Sequence, residues 1–109
     1  MKAKIEEWVN HGLALHGLTE SIEKTFGSNP ESPIHDIPWK IFSSYTKILA
    51  NSICGGENFP AVIYDLEWFA WECDLGRKPM GAKLSNGKEV LVNGVDALVE
   101  ILNDSIRKA

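Results

Sequence analysis

Apolar residues recur at helical spacing in four segments of this 109-residue chain, and that periodicity constrains the fold more than any other feature. Glycine or proline stands at or beside the ends of these segments, where helices commonly start and stop. The predicted helices run from Lys2 to Phe26, from Pro38 to Cys54, from Pro60 to Leu75 and from Val95 to about Arg107. The chain is therefore predicted to be mainly helical.

The first segment leaves its number of helices open. Gly12 and Gly17 each weaken a helix by about 1 kcal/mol relative to alanine, so the pattern fits either one helix or two. Gly27 is a natural stop, and a loop rich in Pro, Ser and Asn is predicted to follow it. The apolar residues at helical spacing in this segment are Ile5, Trp8, Val9, Leu15, Leu18, Ile22 and Phe26.

The second segment has the clearest single apolar face. Pro38 suits its first turn, and Gly55-Gly56 is predicted to end it. In the third segment, Asn58 is a predicted N-cap before Pro60. The face of the second helix that is expected in the core consists of Ile41, Phe42, Tyr45, Ile48, Leu49 and Ile53.

A β-hairpin is predicted between the last two helices, in the stretch AKLSNGKEVLV. Asn86-Gly87 favours a two-residue type I′ turn, in which both positions have positive φ. An isolated hairpin is only marginally stable, so it must pack on the helices. The buried stripe predicted for the last helix is Leu98, Val99, Leu102 and Ile106, with Ile101 at its edge. We therefore expect one α+β domain over residues 1–109, mainly α, with four or five helices and one hairpin.

Composition excludes several classes of protein. The net charge of −4 argues against a direct nucleic-acid interface, which usually needs an excess of basic residues. No window approaches the roughly 18 apolar residues of a membrane span, and Glu6 and Glu7 interrupt the N-terminus where a signal peptide needs an apolar run. Cys54 and Cys73 lie in apolar helical patterns without a CxxC partner, so we expect both to be reduced.

Catalytic, metal and cofactor sites are not predicted. His11 and His16 lie five residues apart, about 140° apart on a helix, so they do not form an i, i+4 metal pair. His35 lies beside Asp36 in the Pro-rich loop, and this pair alone does not indicate a catalytic or metal site. Glu72 and Asp74 point away from each other on a helix and do not form an acid–base pair. No Gly-rich phosphate loop or nucleophile motif is present, so we expect a protein that is not an enzyme.

The third helix has two apolar faces instead of one. At 100° per residue, one arc holds Tyr64, Trp68, Trp71 and Leu75, and another holds Val62, Leu66, Phe69 and Cys73. Either both arcs lie in the core, or one is a docking surface for a partner, since Trp and Tyr dominate binding hot spots. Acidic residues beside the aromatic ones would make such a surface selective among partners more than they would raise its affinity. The candidate partner-binding residues are Tyr64, Trp68, Trp71, Glu72, Asp74 and Arg77.

Part of the chain resembles small proteins encoded by bacteriophages and prophages. The shared pattern is Trp, two residues, an aromatic residue, Glu, any residue, Asp, any residue and Gly, followed by Ala, a short hairpin and a final helix. Here it consists of Trp68, Trp71, Glu72, Asp74, Gly76 and Ala82. The resemblance covers roughly residues 65–102. It implies a phage or prophage origin and a location in the bacterial cytoplasm, and it implies no activity.

These features lead to three functional hypotheses. The first is a non-enzymatic interaction protein that binds a bacterial or phage protein and sterically inhibits or modulates a host or defence-system complex. The second is an immunity or antitoxin protein that neutralises a toxin with an acidic patch. The third is a homo-oligomeric structural module, such as a homodimer, in which the two-faced helix is the seam between copies.

Overall fold

The computed structural model describes residues 1–27, 33–54 and 56–108. Within these residues the chain is α+β and mainly α, as predicted. The helices are α1 (Lys2–Phe26), α2 (Ile37–Ile53), α3 (Phe59–Trp71) and α4 (Val95–Lys108), and the strands are β1 (Met80–Lys83) and β2 (Glu89–Val92). Single 3-10 turns at Pro33–Asp36, Gly56–Asn58 and Asp74–Gly76 lie between them. Residues 28–32 of the predicted loop and Gly55 lie outside the described residues.

One continuous helix, α1, accounts for the whole first segment, which settles the alternative that the sequence left open. It ends at Gly27, which has a φ of 79° and donates its N–H to the carbonyl of Glu23. Gly12 is required by packing, because a Cβ there would lie 2.8 Å from Cδ1 of Leu75 and 2.9 Å from Cε1 of Phe42. Its absence of a side chain lets these two residues approach the α1 backbone.

Trp8 lies at the centre of the core and joins three helices. Its indole is fully buried and stacks on Phe42 of α2 at a centroid distance of 5.3 Å, with Phe69 of α3 at 6.1 Å. The indole N–H donates to Oγ1 of Thr46 at 2.9 Å, and that hydroxyl donates to the carbonyl of Phe42 at 2.8 Å. The buried N–H therefore has a partner, as an enclosed tryptophan usually requires.

The face that α2 buries differs from the predicted one. Ile41 and Ile48, expected in the core, are 49% and 67% exposed. Thr46 and Ala50 are buried instead, because their small side chains let α2 approach its neighbours and because Thr46 bonds the Trp8 indole. The apolar face of α2 is thus wider than the part of it that the other helices bury, and Ile41 and Ile48 lie on the part that stays exposed.

Two residues of α1 that were expected on its apolar face are also exposed. Leu18 lies about 80° around the helix from Trp8 and is 43% exposed. Phe26 is 61% exposed at the C-terminal end of α1, which at 25 residues is longer than the 17-residue α2 against which it packs. The buried positions of α1 are Ile5, Trp8, Gly12 and Ile22.

The third helix ends four residues earlier than predicted, at Trp71 instead of Leu75. Asp74, Leu75 and Gly76 have φ values of 50°, 56° and 96°, and such left-handed residues cannot continue a right-handed helix. Arg77 stabilises the turn by donating from its backbone N–H and from Nε to the carbonyl of Asp74. Asn58 occupies the N-cap position of α3 without the predicted side-chain cap bond.

The hairpin is present, but its turn is of another type. Leu84 accepts a bond from the N–H of Gly87 and donates its own N–H to the carbonyl of Lys88. Of the residues in this turn, only Gly87 has a positive φ, at 89°, so the three-residue loop is a type I turn with a G1 bulge. The predicted type I′ turn is wrong because Asn86 keeps a negative φ and accepts the Lys88 N–H through its Oδ1 at 2.9 Å.

Polar contacts attach the hairpin to α4. Asp104 is buried and accepts bonds from the backbone N–H of Ser85 at 3.1 Å and from its hydroxyl at 2.6 Å. Ser105 donates to Asp65 on α3. The apolar contact comes from Leu98, Ile101 and Leu102, which are buried, so Ile101 belongs to the stripe itself and not to its edge.

In the part of the chain described, no helix has the length and apolarity needed to span a bilayer.

Candidate functional site

A cleft of about 380 Å³ lies between α1, the start of α2 and the turn after α3. We call it the tryptophan cleft, because Trp39 and Trp71 stand on its walls. Its size and its mainly apolar lining with a few polar groups are typical of a binding site. The lining residues are Gly12, Leu15, His16, Thr19, His35, Pro38, Trp39, Phe42, Ala70, Trp71, Asp74, Leu75 and Arg77.

The two tryptophans leave much apolar surface open to solvent. Trp39 is 55% exposed and Trp71 is 59% exposed, although the core of the same molecule encloses Trp8 completely. A small notch continues the depression between α2 and α3, and Glu67 lines this notch together with both tryptophans. Exposed aromatic surface around a concave feature is a mark of binding surfaces.

The turn after α3 forms one wall of the cleft. Leu75 reaches across to Gly12, as the short distance to a Cβ there indicates. Arg77 donates from Nη2 to Oδ1 of Asp74 at 2.8 Å, and both side chains are about half exposed. The left-handed conformation of Asp74 and Leu75 costs free energy relative to the ordinary helical region, and it is what places Leu75 in the cleft wall.

His35 supplies a hydrogen-bond acceptor at the same site. Its Nε2 lies 2.7 Å from the carbonyl of Gly27, so a neutral imidazole carries its hydrogen on Nε2 and leaves Nδ1 as an acceptor. Nδ1 is buried and has no hydrogen-bond partner among the described residues. His16 forms a 3.1 Å contact with Glu20 on the rim of α1.

The acidic charge of the protein is concentrated on α3 and its turn. Residues 59–76 contain four acids and no Lys, Arg or His, and the rest of the chain has eleven acids and eleven Lys or Arg residues. Arg77 and Lys78 follow this segment directly, so residues 59–78, with four acids and two cations, carry a net charge of −2 out of the chain's −4. Arg77 compensates Asp74, whereas Glu67 forms no ion pair or hydrogen bond with the described part of the chain.

The six predicted site residues do not form one surface. Trp71, Asp74 and Arg77 lie around the tryptophan cleft. Tyr64 and Trp68 line a separate groove of about 160 Å³ that faces β1 and α4. The exposed Glu72 lines neither the cleft nor the groove. Within α3 itself, Tyr64 and Trp68 face the hairpin and α4, and the early end of the helix takes Asp74 off the helical position assumed for it.

Two residues of the cleft were missed by the sequence analysis. Trp39 lies off the predicted apolar face of α2, and that misfit is a signal that could have identified it as exposed. His35 was considered only as a catalytic or metal residue. Its role as an acceptor depends on the approach of the Gly27 carbonyl, which no local pattern in the sequence indicates.

The cleft offers binding groups, and the neighbouring thiol is poorly suited to reaction. Burial raises the pKa of the Cys73 thiol, and the nearby Glu72 adds to the effect. A thiol with a raised pKa forms little thiolate, which is the reactive form. Cys54 and Cys73 are both free, and within the described residues no group of three His, Cys, Asp or Glu side chains could hold a metal ion.

Comparisons with known proteins add no relative: no family model, no curated protein and no solved structure matches this chain.

Proposed function

We propose that this protein is a non-enzymatic interaction protein that binds another protein through the tryptophan cleft and inhibits or modulates it sterically. The observation that carries the proposal is the exposure of Trp39 and Trp71, at 55% and 59%, on the walls of one cleft. Tryptophan is the residue most enriched at binding hot spots, and a concave pocket around it excludes water from a bound side chain.

The construction of the cleft from helices and a hydrogen-bonded turn supports the same function. Its walls come from α1 and α2 and from a turn fixed by Arg77, so little conformational entropy needs to be lost when a partner binds. A bacterial host or defence protein is the proposed class of target. That choice rests on the resemblance to phage and prophage proteins, whose shared residues Trp71, Asp74 and Gly76 lie in the cleft wall or its turn.

A photo-crosslinking experiment tests this proposal. A benzoylphenylalanine is placed at the exposed position 16 on the rim of the cleft, which keeps both tryptophans, or, as a matched control, at the exposed position 103 on α4. Both proteins are irradiated in bacterial lysate, with and without phage infection. We expect a discrete adduct from position 16 and none at the same mass from position 103. The same adducts from both positions, or none from position 16, would contradict the proposal.

The homo-oligomeric alternative has one specific observation in its favour. Ile37, Ile41 and Ile48 are 48%, 49% and 67% exposed along one side of α2, at a spacing that aligns them on the helix. Sedimentation of the wild-type protein and of an Ile41→Lys/Ile48→Lys variant separates the two ideas. If wild type is a dimer and the variant is a monomer, the result favours a homodimer whose contact surface is on α2. If both are monomers, the cleft remains the proposed binding surface.

A further inference from the structure

We propose that the partner segment in the tryptophan cleft presents an arginine, whose guanidinium lies against the indoles of Trp39 and Trp71 and pairs with Glu67. This inference rests on the proposed function and adds the chemistry of the partner. Its basis is the charge of the residues that line the tryptophan cleft and the adjoining notch, together with the two indoles on their walls. Guanidinium groups stack on aromatic faces and are more weakly hydrated than ammonium groups, so arginine suits this setting better than lysine.

Among the charged residues that line the tryptophan cleft and the notch, one carboxylate has no cation paired with it in the described ranges of the chain. Asp74 and Arg77 neutralise each other at 2.8 Å, and His16 contacts Glu20. Lys40 and Lys47, the lysines of α2, line neither the cleft nor the notch. Glu67 lines the notch beside both indoles and forms no ion pair or hydrogen bond with the described residues. A cation is therefore the complementary occupant at this end of the depression.

The wider field of the protein favours the same occupant. The protein carries a formal net charge of −4. Among the four acids of residues 59–76, Asp74 is paired with Arg77 and Asp65 accepts from Ser105, whereas Glu67 and Glu72 are exposed. Negative charge of this kind raises the association rate of a cationic partner and suppresses binding of an acidic one. The aromatic surface supplies the apolar contact, and the charge selects a basic segment of a partner protein.

The test uses two short peptides that differ only in charge. Acetyl-Gly-Arg-Gly-amide and its citrulline counterpart, which is neutral and nearly isosteric, are titrated into the ¹⁵N-labelled protein. We expect the arginine peptide to shift the indole N–H signals of Trp39 and Trp71, while the signal of the buried Trp8 stays in place. The citrulline peptide should bind about five-fold more weakly, because a carboxylate in a partly exposed site favours a cation to about that extent.

Matched variants assign the effect to one carboxylate. Glu67→Gln should weaken binding of the arginine peptide about five-fold, and Glu23→Gln, which removes an exposed acid on α1, should not change it. Equal binding of the two peptides, or equal effects of the two variants, would overturn the inference. Crosslinking from the cleft in lysate is measured independently of the peptide titrations. Failure of the peptide results alone would overturn the arginine inference and leave the proposed function standing, whereas absence of the crosslinked adduct would contradict the proposed function itself.

Discussion

The two sides of α3 have similar apolar content and opposite roles in the fold. On one side Val62, Leu66, Phe69 and Cys73 are all fully buried. On the other, Tyr64 and Trp71 are 68% and 59% exposed. The inner side is closed by helices α1, α2 and α4, whereas on the outer side Trp68 and Leu75 are partly buried and no described element covers Tyr64 and Trp71. The difference indicates that the outer apolar surface is surplus to folding, and surface of that kind is available for a partner.

The largest expected effect separates a core tryptophan from a cleft tryptophan. Trp8→Ala should lower the free energy of unfolding by about 3–5 kcal/mol, because it leaves a cavity and removes the stacking on Phe42. Trp39→Ala should cost about 1.5–2.5 kcal/mol, since a half-exposed indole buries roughly 100 Å², which at about 25 cal/mol per Å² gives an upper bound of about 2.5 kcal/mol. Urea unfolding of both variants measures the difference. Similar losses in the two would break the distinction between core and cleft.

A second effect tests how the core holds its polar group. Thr46→Val keeps the shape of the side chain and removes the acceptor for the Trp8 indole N–H, which lies 2.9 Å away. A buried donor left without a partner costs about 1–3 kcal/mol, so we expect a loss in that range by urea unfolding. Ser43→Ala, at a half-buried position on the same helix, is the control and should stay close to wild type. An unchanged Thr46→Val midpoint would mean that water replaces the hydroxyl.

A substitution in the hairpin turn measures how much free energy a left-handed residue other than glycine costs in this protein. Gly87 has a φ of 89°, so Gly87→Val should destabilise the protein by about 1–2 kcal/mol. Asn86→Asp keeps an acceptor for the Lys88 N–H and should change little. Thermal unfolding of the two variants gives the comparison, and a larger loss from Asn86→Asp would show that the turn geometry is wrong. A cost of the same kind, smaller because neither residue is β-branched, applies to Asp74 and Leu75, which adopt this conformation without being glycine.

The smallest effect concerns the ion pair at the cleft. Asp74→Asn removes the charge, and asparagine tolerates the left-handed conformation well. Because both members of the pair are about half exposed, we expect a loss of less than about 1 kcal/mol. Arg77→Met, which also removes the bond to the Asp74 carbonyl, should cost slightly more. A loss above about 3 kcal/mol from Asp74→Asn would place the ion pair in the fold and not on a binding surface.

The sequence predicted what depends on local pattern. The four helical segments and the hairpin were predicted, because periodicity of 3.6 and glycine stops act within a few residues. Whether the first segment is one helix or two, and whether both arcs of the third helix lie in the core, stayed open. The sequence did not predict that Thr46 is buried in α2, because that depends on its hydrogen bond to Trp8, which lies 38 positions away in the chain. Nor did it predict the end of α3 at Trp71, where tertiary contact of Leu75 with α1 outweighs the helical pattern.

The cleft itself was only half visible in the sequence. Trp71, Asp74 and Arg77 were identified because they lie in one dense aromatic and acidic stretch. Trp39 and His35 come from another part of the chain, and the packing of α2 brings them to the same place. A wheel of one helix cannot show a surface that two helices and a turn build together.

The most direct test of the account compares two variants of similar stability on opposite sides of α3. Trp71→Ala removes a cleft residue, and Phe69→Leu trims a core residue; each should cost about 1–2 kcal/mol. Proteins captured from bacterial lysate by each variant and by wild type are quantified by mass spectrometry. We expect at least one protein that wild type and Phe69→Leu capture equally and that Trp71→Ala does not capture. Equal capture by all three, or equal loss from both variants, would contradict it.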